Sequence, residues 1–504
     1  MIFNSILWLK EDSQLGNQTI KEPDFYHDLN LDQMISEISK NEEDLRRIFY
    51  ILLKTKEEII YRQDVFKDIE NEEILEVIKT FSSHIEQIVQ VILHIEDLYD
   101  YQKEGKFIEE VMNYCNAITD LAAGLHRGPL ASAGLLSFTD YLDMYLKTPE
   151  FIGLKSTAEK IYSDLSSIKF IMKIQSGRIT VKKYNGEADY TEEVISAFGK
   201  ISGHLSKGEQ QVFNSYNHID AAVLRLLSKI YKKEFDELKQ FYQSHINFID
   251  PIIHKFYTEV RFYLSFLNYI SPLKVNGFDF CIPEISVTGK NIYGKDIFDL
   301  VLAKKLLKEG RETVVNDFNV GGAERIIVVT GPNSGGKTTF ARAFAQMHIL
   351  ALLGLPVPGK AARLLLFDNM FVYFENVEKV ENLKGKLEDD LIRVKQILDN
   401  STERSIIIVN ELLSSTSTYD AKLIGQAILK MVYAKRAFCV YVTFIDEFAD
   451  MKGIISMVAQ VNLNDPSLRT FKIIVQKPNS KAYANALAEK YGLTYDLVLR
   501  GIKQ

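Results

Sequence analysis

The sequence predicts a multidomain chain, mainly α-helical in its first half and α/β in its second. Three observations lead there. The chain has 504 residues, and that length accommodates about two to four domains. Up to residue 270 apolar residues recur at three- and four-residue steps, whereas after residue 300 they gather in short runs separated by helix-length segments. Proline is scarce, at 11 residues, which suits long helices and excludes a linker-dominated chain.

Composition narrows the class further. The net charge of −7 excludes a uniformly basic surface and leaves room for a local basic patch. Cys115, Cys281 and Cys439 lie far apart, with neither metal-type spacing nor a disulfide framework, so a reducing, cytoplasmic setting is expected. Met1–Lys10 lacks a basic leader and a small-residue cleavage site. The longest apolar stretch, Phe340–Pro358, contains Arg342, Gln346 and His348 and is too short and polar to span a bilayer. No membrane role is expected.

In the first half, Ile85, Ile88, Ile92, Ile95 and Tyr99 form one amphipathic stripe; Leu224, Leu227, Ile230, Phe235, Leu238 and Phe241 form another. Such helices must pack on one another, so residues 20–270 read as a helical assembly with extended arms. One segment breaks the pattern. Lys169–Tyr184 alternates with period two around Ser176-Gly177, which predicts a β-hairpin. It holds Lys169, Lys173, Arg178, Lys182 and Lys183 and no acidic residue. Two readings stand: a solvated edge ribbon whose lysines oppose aggregation, or a tip that contacts backbone phosphates.

In the second half, strands are expected at Ile326–Thr330, Met370–Phe374, Ile406–Val409, Phe438–Thr443, Ile455–Val461 and Phe471–Gln476. Between the first strand and the helix Thr339–Leu353 lies Gly331-Pro332-Asn333-Ser334-Gly335-Gly336-Lys337-Thr338, a match to G-x-x-x-x-G-K-[ST]. Glycines there let backbone N–H groups face phosphates, and the helix N-terminus adds its positive end. Lys337 would bridge β- and γ-phosphate oxygens, and Thr338 would ligate Mg²⁺. The alternative is a plain glycine turn. Further on, Ser405–Val409 reads as a buried parallel strand ending in Asn410-Glu411. Glu411 there can orient or deprotonate an attacking water, against the bland reading of a polar strand end. Asn410 keeps an acceptor oxygen for the metal without the charge of an Asp. Ser414–Asp420 then precedes an apolar helix, either as an N-cap or as hydroxyls for a phosphate from a partner subunit.

These residues resemble the MutS family of DNA mismatch repair ATPases. Thr330–Thr339 is close to the family's nucleotide loop, including its Pro-Asn pair. Val315-Asn316-Asp317 stands where the family has an Asn-containing segment, and Asn410-Glu411 with Ser415–Asp420 is similar to its Walker B strand and following loop. Lys481-Ala482-Tyr483-Ala484 resembles the segment before its dimerising helices, and Glu58–Val65 the start of its core domain.

The resemblance implies a helical core with lever arms and a small β clamp in residues 1–275. Residues 276–504 would form an ABC-like P-loop ATPase domain with short dimerising helices. It also implies a homodimer with ATP and Mg²⁺ between subunits. Gly331 to Thr339 would then hold the nucleotide, Val314 and Asn316 would line an adenine pocket, and Ser417 would reach the partner's nucleotide. Thr338 and Asn410 would serve the metal, and Lys337 and Glu411 catalysis. The hairpin lysines and Arg178 would contact DNA backbone irrespective of sequence.

The departures shape the expectation. The chain starts near the core domain, so no mismatch sensor of the usual kind is expected, and it stops too early for an added nuclease domain. Asn410 replaces an Asp, and Thr443-Phe444 stands where the repair enzymes have Thr-His. Two functions follow: an ATP-driven DNA clamp, or a nucleotide-gated module with little turnover that acts on a ribosome or protein partner.

Overall fold

The computed structural model describes residues 3–10, 20–40, 42–175, 178–186, 218–374, 386–413, 416–462, 469–478 and 493–494. They fall into two units. One is drawn from Met1–Phe3, Asn71–Ala131 and Leu135–Val260, the other from Asn4–Glu70, Ser132–Gly134 and Arg261–Gln504. Along the chain the last change between the two units falls at 260/261, and residues 4–70 group with the later part of the chain.

The first unit is built on the helices Glu72–Leu93, Gln102–Arg127 and Pro149–Ser166. Asn71 starts the first by accepting from Glu73 N (3.1 Å) and Ile74 N (3.4 Å). Its buried stripe is Ile74, Ile78, Phe81, Ile85 and Ile88. The stripe expected through Tyr99 is therefore displaced: the helix ends at Leu93 and Tyr99 is exposed. The second expected stripe is broken at Tyr231 into helices His218–Ile230 and Lys232–Ser244.

The hairpin is present. Strand β1 (Phe170–Gln175) pairs antiparallel with β2 (Arg178–Lys183), Gln175 opposite Arg178. Ser176 and Gly177 lie outside the described residues. Val181 is buried in a small cluster with Val223, Leu227 and Phe235, so one face of the ribbon is anchored. Because faces alternate along a strand, Lys173, Arg178 and Lys182 share the opposite face.

In the second unit, short strands β3 (Phe280–Cys281), β4 (Glu284–Ser286), β5 (Ile292–Ile297) and β6 (Asn316–Val320) lead to β7 (Ile326–Thr330). After the helix Lys337–Leu352 come β8 (Val357–Pro358), β9 (Ala361–Leu365) and β10 (Met370–Phe374). The chain continues with β11 (Ile406–Asn410), β12 (Phe438–Val442), β13 (Ile454–Val461) and β14 (Arg469–Val475). The main sheet has the order β10-β11-β12-β7-β13-β14, parallel except for β14. All five β7 residues are buried, as a central parallel strand covered on both faces requires. The helices Lys386–Asn400 and Thr418–Lys435 supply Val394, Leu398, Leu429 and Val432 to one face's core. A second sheet has the order β4-β9-β5-β6, and β3 pairs with β8.

The N-terminal residues grip the helix Lys337–Leu352. Arg342 Nε donates to Asp28 O and Gln346 Nε2 to Leu29 O, both at 2.9 Å. Leu53 N donates to Leu352 O at 2.9 Å. Arg62, fully buried, donates to Leu7 O (2.8 Å) and Leu353 O (3.2 Å) and lies 4.3 Å from the Trp8 ring centroid. The segment Glu58–Val65 thus belongs to the helix Lys56–Glu70 of this unit. Among the described residues, no helix is long and apolar enough to cross a membrane.

Candidate nucleotide-binding site

The loop between β7 and the helix Lys337–Leu352 is shaped by backbone constraints. Gly331 has φ +120°, and a Cβ there would meet Ala459 at 3.0 Å. Gly336 has φ +92° at the helix start, a conformation side chains rarely adopt. Both glycines are required for shape. The loop turns tightly enough that Gly335 N donates to Pro332 O.

Lys337 points back into this loop. Its ammonium donates to Gly331 O (2.8 Å) and Pro332 O (3.2 Å) and stands 4.2 Å from the Phe444 ring centroid. Only 4% of Lys337 is exposed. Burial pushes its pKa down to about 8; Glu411 partly opposes that shift and Arg469 adds to it. Next in sequence, Thr338 Oγ1 donates to Asn410 Oδ1 at 2.8 Å across the strand tips. Glu411 follows with φ +56°, its N–H on Val442 O at 3.0 Å. A non-glycine residue held there marks a constrained strand end.

Lys337, Thr338 and Glu411 border a cavity of about 350 Å³. One wall is Ser334, Gly335, Gly336, Lys337, Thr338 and Thr339, with Glu411 beside them. The other includes Val314, Asn316 and Leu302. Asn316 is more than a wall: its amide donates to Phe471 O (3.2 Å) and accepts from Ile473 N (2.7 Å), stapling β6 to β14. Gly331, Pro332 and Asn333 shape the loop, and Asn333 O accepts from Arg469 Nε at 2.9 Å. Ser417 caps the helix Thr418–Lys435, accepting from Asp420 N at 3.1 Å. Ser414, Ser415 and Lys481–Ala484 lie outside the described residues.

Sequence reading missed Asp299, Leu302, Leu306 and Phe471, which also line the cavity. Asp299 caps the helix Leu300–Lys308 through Val301 N and Leu302 N and accepts from Gln346 Nε2 at 3.0 Å. An Asp before an apolar helical run is a legible cap signal. Phe471 gave none: it lies where the β13–β14 register shifts, with φ +57°.

One wall of the cavity is thus loop backbone with the Lys337 cation, and the other mixes apolar Leu302, Leu306 and Val314 with polar Asp299, Arg311, Glu312, Thr313 and Asn316. Thr338 and Asn410 present neutral hard oxygens, a donor type that fits Mg²⁺ accompanied by phosphate oxygens and water. Among the described residues, no group of three or more His, Cys, Asp or Glu is placed to hold a metal ion.

On the hairpin, Lys169, Lys173, Arg178, Lys182 and Lys183 are all exposed. They do not form one surface. Lys183 belongs to the anchored face, with its ammonium 5.8 Å from the Tyr231 ring.

Residues 327–501 match the family description MutS domain V. This segment carries the chain's likeness to the MutS family. A DNA mismatch repair protein MutS from Syntrophomonas wolfei is 25% identical over 410 residues, covering 78% of this chain and 46% of that protein. Another from Caldanaerobacter subterraneus subsp. tengcongensis is 27% identical over 237 residues, 44% of this chain and 27% of its own. A third, from Rickettsia bellii, is 30% identical over 178 residues, 35% of this chain and 19% of its own. The chain spans less than half the length of these curated relatives. The Syntrophomonas MutS likeness, at 410 residues, is longer than the domain V match and so extends upstream of it.

Proposed function

We propose that this MutS-like chain binds ATP with Mg²⁺ in the cavity beside Lys337, hydrolyses it slowly, and uses the nucleotide to close a homodimer on DNA. The observation that carries this reading is the clustering of Lys337, Thr338 and Glu411 on one cavity, with Asn410 bonded to Thr338 behind it. Lys337 would engage the β- and γ-phosphate oxygens, with loop N–H groups on the remaining phosphate oxygens. Thr338 and Asn410 would hold Mg²⁺, which when bound neutralises phosphate charge. Glu411 would orient the attacking water and take its proton. Val314 and Leu302 offer apolar surface to the base. The exposed hairpin cations would grip DNA phosphates without reading sequence.

A second reading has its own support. Asn410 brings no negative charge to the metal, and Phe444 brings no hydrogen-bonding group to the loop. A nucleotide-gated module with little turnover, working on a ribosome or protein partner, fits those two residues.

Phosphate release measured with and without duplex, branched and single-stranded DNA, and with ribosomes, separates the two. The clamp expects turnover stimulated by DNA and abolished in Glu411→Ala. Equal, near-zero rates in wild type and Glu411→Ala would leave the module.

A further inference from the structure

The surroundings of Lys337 hold a feature the nucleotide reading does not need. A lysine ammonium has three donors. Here two go to Gly331 O and Pro332 O, and the remaining side of the ammonium is covered by the Phe444 ring, whose centroid lies 4.2 Å away. Ring faces attract cations through their quadrupole. The ammonium is therefore satisfied before any ligand arrives.

Phe444 is held there by its neighbours. Thr443 N donates to Val329 O at 3.1 Å, which fixes the residue to the end of β7. Ile445 N donates to Thr443 Oγ1 at 3.1 Å, and the Ile445 side chain packs against the sheet's core. Between these two anchors Phe444 is still 49% exposed. An exposed aromatic ring held beside a buried lysine costs apolar hydration that core packing alone would have avoided.

We infer that Phe444 is a positioning residue for Lys337: its ring retains the ammonium against the loop carbonyls, and a phosphate ligand must draw Lys337 off that ring to bind. The inference rests on the nucleotide reading above. It gives the ring a consequence for specificity. Leaving the ring is compensated only by charge-assisted bonds to phosphate oxygens that Lys337 can reach. In the proposed binding mode those are the β- and γ-oxygens, so Phe444 penalises ATP and ADP and leaves AMP alone.

The test uses the full chain with Phe444→Leu, apolar without a ring face, and Phe444→Tyr, which keeps the face. Calorimetric titrations with ATP, ADP and AMP are expected to show Phe444→Leu binding ATP and ADP about two- to thirty-fold more tightly, with AMP unchanged. Phe444→Tyr should match wild type. In parallel, acetic anhydride labelling of Lys337 without nucleotide, read by mass spectrometry, should be faster in Phe444→Leu and unchanged in Phe444→Tyr. If Phe444→Leu weakens all three nucleotides alike, or labels Lys337 no faster than wild type, the positioning role is overturned. A wild type that binds no nucleotide would sink the nucleotide reading instead, and the labelling rates would still decide whether the ring shelters Lys337.

Discussion

The phosphate-type loop and the basic hairpin carry the two halves of the proposed function, and they are built on opposite principles. Around the loop, each important group is fixed several times over. Lys337 has two carbonyls and a ring, Thr338 has Asn410, and the helix behind them is gripped at Arg342, Gln346 and Leu352. The hairpin is a two-stranded ribbon with one anchored face and exposed cations. The difference teaches where each mutation acts. At the loop, changes work through geometry and burial; on the hairpin, through charge alone.

The largest effect expected is on the scaffold of the loop. Arg62→Ala removes a buried guanidinium that joins Leu7 O, Leu353 O and the Trp8 ring, and leaves a void with bare carbonyls. A loss of about 3–4 kcal/mol is expected in urea unfolding. A loss below about 1 kcal/mol would mean that the loop's support is far more redundant than the hydrogen bonds indicate.

Next comes Lys337→Ala. Deleting a charge-assisted contact to phosphate should weaken ATP binding about 100-fold. Folding should suffer less than in Arg62→Ala: Gly331 O and Pro332 O lose their donor, but the variant also removes a cation whose burial already pushes its pKa down. Calorimetry and thermal unfolding on the same sample check both halves. Lost stability with intact ATP affinity would reverse the roles assigned to Lys337 and Arg62.

How much of this was legible beforehand depended on whether side chains or backbone did the work. The strands β7, β10 and β12 were visible because buried parallel strands are unbroken apolar runs: IIVVT, MFVYF and FCVYV. Strands β5 and β6, IYGKDI and NDFNV, were not, because Gly, Asp and Asn disfavour strands and only tertiary pairing makes them so. The Gly-Lys-Thr loop could be read because its shape demands particular residues. The seating of residues 25–53 on the helix Lys337–Leu352 could not: its acceptors, Asp28 O and Leu29 O, are backbone atoms that any sequence supplies. The break at Tyr231 was hidden for a similar reason, since the apolar spacing continues across it.

For the hairpin, the triple variant Lys173→Glu, Arg178→Glu and Lys182→Glu reverses one face. Duplex DNA affinity at low salt should fall about 30-fold, and the slope of log K against log salt should shrink by roughly 3 if each cation meets one phosphate. Lys183→Glu alone, on the face turned to Tyr231, should change affinity by no more than about twofold. A Lys183 effect as large as the triple's would show that the ribbon acts as one undifferentiated cloud of charge. Loss of folding in the triple variant, read by thermal unfolding, would bring the hairpin closer to the loop in kind.

The response to pH distinguishes a buried cation from an exposed one. Burial holds free Lys337 at about 8, and a bound triphosphate favours its charged form, so binding raises that value. Below pH 8 the lysine is protonated both free and bound, and this group contributes no slope. Above pH 8 the free protein must take up a proton to bind, so ATP affinity should fall by at most about tenfold per pH unit until the bound-state value is passed. Titrations in two buffers of different ionisation enthalpy would register the proton uptake directly at pH 9 and its absence at pH 7. Lys337→Ala should lose both the slope and the uptake while keeping its residual affinity. If wild type shows neither, the ammonium is not the group that meets the phosphates, and the loop is left holding its ligand by backbone N–H groups alone.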